Sequence, residues 1–116
     1  MEQNTQEELQ QPAELEMAYS EALLKYVIVR TYSAGVFAGY LVSREGRECE
    51  LVHARRIWKW AGAATLSQLA VDGTKLPGEC RFPCPVPSVI LTEVVEILHA
   101  TVKAMESIQG VPIWEA

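Results

Sequence analysis

The densest run of residues able to do chemistry is His53-Ala-Arg-Arg-Ile-Trp-Lys-Trp60, in which two arginines and a lysine interleave with two tryptophans. Guanidinium forks hold phosphate through paired hydrogen bonds and indole faces stack on bases, so the block suits a ligand that carries both groups. In an extended chain Arg56, Trp58 and Trp60 share one face, and Arg55, Ile57 and Lys59 share the other. The plainer alternative is that both tryptophans fill a core while the arginines reach outward. Arg30, Arg81 and Phe82 lie near expected strand ends and can join the same pocket.

Other reactive types are present without a pattern that supports catalysis. Cys80-Arg-Phe-Pro-Cys84 together with His53 and His99 holds zinc-ligand types, but the spacing is not that of a CxxC knuckle and there is no second cysteine pair. The three cysteines therefore read as reduced thiols. Neither histidine sits in a nucleophile signature, Glu93 and Glu96 read as solvated charges, and the glycines form no phosphate loop. These features point to a protein that binds rather than one that catalyses, with no cofactor and no metal expected.

Those residues need a scaffold, and one domain has to supply it. The chain has 116 residues, of which 49% are hydrophobic, which is enough for a single core. The net charge of −5 arises within residues 1–25, where Glu2, Glu7, Glu8, Glu14, Glu16 and Glu21 face only Lys25. Residues 26–116 are balanced, which disfavours duplex nucleic acid as a partner. No basic-then-apolar leader and no run of eighteen apolar residues is visible, so a cytoplasmic protein without a membrane partner is expected.

The Gln- and Glu-rich start reads as a disordered acidic tail, and Leu15, Tyr19, Leu23 and Leu24 permit a short amphipathic helix before Lys25. The β-branched run Tyr26–Tyr32, the run Val36–Ser43 and the run Glu48–His53, joined at Ser33-Ala34-Gly35 and around Gly46, predict an antiparallel meander. Ala61–Val71 predicts a helix capped by Thr65 and closed by Gly73. Four prolines between positions 77 and 87 predict irregular or edge structure. A strand running to Leu98, a helix from Thr101 to Ile108 and a C-terminal anchor at Gly110–Trp114 complete the reading. The fold class is α+β: a small antiparallel sheet with one or two short packing helices over residues 26–116.

Six segments carry a resemblance: Tyr26-Val-Ile-Val-Arg-Thr31, Gly35-Val-Phe-Ala-Gly39, Ala54-Arg-Arg-Ile-Trp-Lys-Trp-Ala-Gly-Ala63, Leu66-Ser-Gln-Leu-Ala70, Cys80-Arg-Phe82 and Val111-Pro-Ile-Trp114. Together they resemble the first type of Thoeris anti-defence protein, a family of small phage and prophage proteins. The resemblance implies a sponge that sequesters a cyclic ADP-ribose isomer and, in some members, cyclic oligonucleotides, without cleaving them. It also implies a homo-oligomer with pockets near subunit contacts, in an infected bacterial host. Carried over by position, the implied ligand-binding residues are Arg55, Arg56, Trp58 and Phe82, with Arg30, Arg81 and Thr92 beside them. The rival reading is a protein-interaction module that uses the Arg/Trp patch on a host or phage protein.

Overall fold

The computed structural model describes residues 24–116. The acidic tail and most of the short helix expected before Lys25 lie outside the described residues. The elements run β1 (Lys25–Thr31), β2 (Val36–Glu45), β3 (Glu48–Ile57), α1 (Leu66–Asp72), a 3-10 turn (Pro77–Glu79), β4 (Val86–Leu91), β5 (Val94–His99) and α2 (Val102–Gln109). All five strands form one antiparallel sheet in the order β4-β3-β2-β1-β5, so the expected α+β class and its meander are present.

The expected single strand through Leu98 is instead two strands on opposite edges, broken at Thr92-Glu93. Periodicity could not reveal the break, because Val89 to Leu98 is rich in strand formers on both sides of it. That two-residue link dictates the shape of the sheet. A flat sheet of five strands sets its outer strands about 19 Å apart, whereas the chain from Leu91 to Val94 reaches at most about 11 Å. The sheet must curl. The link seats between two hairpin turns, with Tyr32 N–H donating to the Glu93 carbonyl and Val94 N–H to the Arg47 carbonyl.

Curling gives the sheet two cores. Val27, Val29, Phe37, Cys49, Leu51, Ala54 and Leu91 fill the inside of the curl. On the outer face Tyr26, Ile28, Ala38, Tyr40 and Ile57 pack under Leu69 and Ala70 of α1, Ile108 of α2, Phe82 and Val111. Burial on both faces explains why β1 reads as an almost unbroken apolar run.

Local chemistry sets the helices. The Thr65 hydroxyl accepts from Gln68 N–H and the Thr101 hydroxyl from Ala104 N–H, each satisfying a donor of a first helical turn. Gly73 closes α1 at φ 76°, and a Cβ there would run into Ser107 of α2, so this glycine also sets how closely the helices approach. Among the described residues no helix is long and apolar enough to cross a membrane.

Candidate functional site

Strand β3 positions the arginine pair on opposite faces of the sheet. Arg55 is paired with Ala38 and points to the outer core, while Arg56 is paired with Phe37 and points the other way. Arg55 is 4% exposed. Its Nε donates to the Pro83 carbonyl, Nη1 to those of Ile108 (3.0 Å) and Val111 (2.7 Å), and Nη2 to those of Phe82 (2.9 Å) and Pro112 (3.5 Å). Every donor is thereby committed to a carbonyl, so Arg55 staples the C-terminal segment to β3 and has no fork to offer a ligand. Phe82 is wholly buried under the same guanidinium, 5.5 Å from the ring centroid. Both side chains are therefore engaged by the fold, Arg55 through all of its N–H groups and Phe82 through complete burial.

Arg56 remains at the surface, 4.4 Å over the Phe37 ring, with Nη1 donating to the Ala34 carbonyl. The expected shared face of Arg56, Trp58 and Trp60 is not found, because β3 stops at Ile57. Beyond it Trp60 turns to the outer core and donates from Nε1 to the Ala63 carbonyl. Trp58 is 63% exposed, and its backbone N–H donates to the Arg81 carbonyl. Lys59 bridges to Arg81, whose guanidinium lies 5.5 Å from the Trp114 ring, itself 42% exposed. Lys59, Arg81 and Trp114 thus come together through the bridge between residues 59 and 81 and the Arg81–Trp114 contact, with the exposed Trp58 next to Lys59 in the chain. Neither Arg56 nor Arg81 forms an ion pair with a carboxylate among the described residues.

Arg30 and Thr92 are elsewhere. Arg30 lies opposite Val36 on the outer face and donates from Nε to Glu96 at 2.7 Å, which places it across the sheet from Arg56. Thr92 is exposed in the link between β4 and β5. Cys80 is buried and Cys84 exposed, and no three metal-ligand side chains converge among the described residues.

A second polar constellation was not legible in the sequence. Tyr26, Tyr40, His53, Arg55, Pro85 and Gln109 line an open cleft of about 290 Å³ on the outer face. The ring of Tyr40 packs edge-on against those of Tyr26 and His53, with centroids 5.1 and 6.5 Å apart. Gln109 Nε2 donates to the Tyr40 hydroxyl at 3.1 Å, and that hydroxyl contacts Met105 Sδ at 3.7 Å. The Tyr26 hydroxyl is buried without a partner among the described residues. Burial, and then the neighbouring Tyr40, push its pKa well above the ordinary phenol range, against a smaller downward pull from Arg55, so it stays protonated.

His53 reaches the cleft because β3 bulges, its own φ being 51°. Opposite the bulge, a Cβ on Gly39 would lie 3.1 Å from both Ala54 Cα and the Val52 carbonyl oxygen, so glycine lets β2 approach there without displacing β3 by a few tenths of an ångström.

Residues 24–108 match the family model described as Domain of unknown function (DUF6948). The chain belongs to that family. No curated protein and no solved structure matches it. In this DUF6948 chain the matched span covers every residue nominated from sequence. It ends before Gln109 of the cleft and before Val111–Trp114, the segment that Arg55 staples down.

Proposed function

We propose that the chain sequesters a nucleotide-type anion, a cyclic ADP-ribose isomer or a cyclic oligonucleotide, without cleaving it, as an anti-defence protein of a phage or prophage. The observation that carries the reading is the group Lys59, Arg81 and Trp114, with exposed Trp58 next in the chain, where half-exposed or exposed indoles accompany cations that have no carboxylate partner among the described residues. Indoles at the surface contribute little to folding, and they offer base-stacking area next to donors suited to phosphate. Arg56, already seated on Phe37, adds a further guanidinium. The resemblance of the Arg-Arg-Ile-Trp block and the closing Val-Pro-Ile-Trp to the sponge family supports the same reading. Nanomolar capture requires about −12 kcal/mol, more than one shallow surface supplies, which favours a homo-oligomer that closes the site between copies.

The test is to incubate the full chain with a panel of cyclic nucleotides, remove free ligand, denature by heat and identify what is released. Intact nucleotide is the expected result, altered nucleotide would make the protein an enzyme, and an empty release would favour the protein-interaction reading. Trp58→Ala and Arg81→Ala should each weaken binding roughly tenfold to hundredfold while leaving the melting temperature nearly unchanged.

A further inference from the structure

We propose that the cleft between β1, β2, the β3 bulge and α2 is a separate binding site for a small aromatic carboxylate. Three features of the cleft specify that chemistry. Its charge is the first: the Arg55 guanidinium is buried against carbonyls alone, and no acidic side chain lines the cleft or pairs with Arg55 among the described residues. Carbonyl dipoles take all of its N–H groups but none carries a formal negative charge, so Arg55 favours a nearby monoanion through its field and not through a direct bond.

The second feature is a set of unspent donors. Tyr26 is 5% exposed and lines the cleft, and its buried hydroxyl has no partner among the described residues. A protonated phenol at such a position is a ready donor to a carboxylate, and leaving it unpaired is unfavourable. Gln109 uses one of its two amide hydrogens on Tyr40, and His53 supplies an imidazole at the cleft mouth. The third feature is the wall: two tyrosine rings at right angles and Pro85 form an apolar lining suited to the edge or face of one aromatic ring. A volume of about 290 Å³ lies at the small end of ligand sites, which fits a single-ring acid better than a nucleotide. The strained left-handed backbone at His53 is the kind of local cost that folds retain where a side chain must be aimed at a site.

The probes are benzoate, its neutral analogue benzamide and inorganic phosphate, titrated into the full-length chain and followed by two-dimensional amide spectra and calorimetry. Benzoate should shift the signals of Tyr26, Tyr40, His53 and Gln109, and benzamide and phosphate should not. Tyr26→Phe removes only the unpartnered hydroxyl, so it should leave the melting temperature unchanged or higher while weakening benzoate binding roughly tenfold or more. Gln109→Ala should weaken it less. The proposal is overturned if benzoate leaves these signals in place at millimolar concentration, if phosphate binds as well as benzoate, or if Tyr26→Phe binds benzoate like the parent chain. Because the Trp58 and Arg81 surface is not perturbed by these variants, cyclic nucleotide capture should survive Tyr26→Phe, which separates the failure of one reading from that of the other.

Discussion

At the scale of single residues, the two arginines of one dipeptide have opposite employment. Arg55 donates to carbonyls of residues 82, 83, 108, 111 and 112, and burial pulls its pKa below the usual guanidinium value, with Tyr26 and then Cys84 opposing that pull. Arg55→Ala would strand several of these carbonyls and should lower the unfolding free energy by about 3–5 kcal/mol, measurable by urea titration. Arg56→Ala should be tolerated far better, since its side chain is exposed. The thiols separate in the same way. Cys49 and Cys80 are buried and Cys84 is exposed. Burial raises the Cys49 pKa against a smaller lowering by Arg44, so its thiolate is scarcer than usual near neutral pH. A chromogenic disulfide reagent should therefore titrate one thiol rapidly in the native protein and three in denaturant.

At the scale of elements, the β2–β3 hairpin determines which side chains meet. Its bulge rests on Gly39, and Gly39→Val would push a branched side chain against Ala54 and Val52. A loss of about 1–3 kcal/mol is expected, read as a lower melting temperature, together with weaker benzoate binding because His53 would no longer be held in place. Much of this level was legible beforehand. The Thr65 cap, the Gly73 stop, the turn at Gly46 and the helix beginning about Thr101 were all carried by local chemistry that acts over a few residues. The sequence pattern put Thr101 inside that helix, and the structure makes it the cap. The break at Thr92-Glu93 was not, since only the curl of the sheet demands it. Nor was the site. The sequence singled out the Arg/Trp block, but alternation could not tell that β3 ends at Ile57 and that Trp60 turns to the outer core. Tyr26, Tyr40 and Gln109 looked like ordinary strand and helix residues until long-range packing placed them together.

At the scale of the whole molecule, acidic and basic residues cancel over 26–116, so net charge there exerts no long-range pull and an anion must be gathered by local donors. The curl has a different consequence, one for synthesis. Strand β1 is the first element of the sheet, yet it lies between β2 and β5, and its partners in β5, such as Leu98 opposite Ile28, are some seventy residues later in the chain. The staple on Arg55 needs carbonyls as late as Pro112. A half-made chain therefore holds a three-stranded meander with apolar side chains on both faces and an unpaired edge, the state in which a nascent polypeptide is most prone to stick to its neighbours. The sheet can close only once β5 (Val94–His99) has been made, and Arg55 can be satisfied only once Pro112 has, so the open meander needs shielding for most of the domain's synthesis.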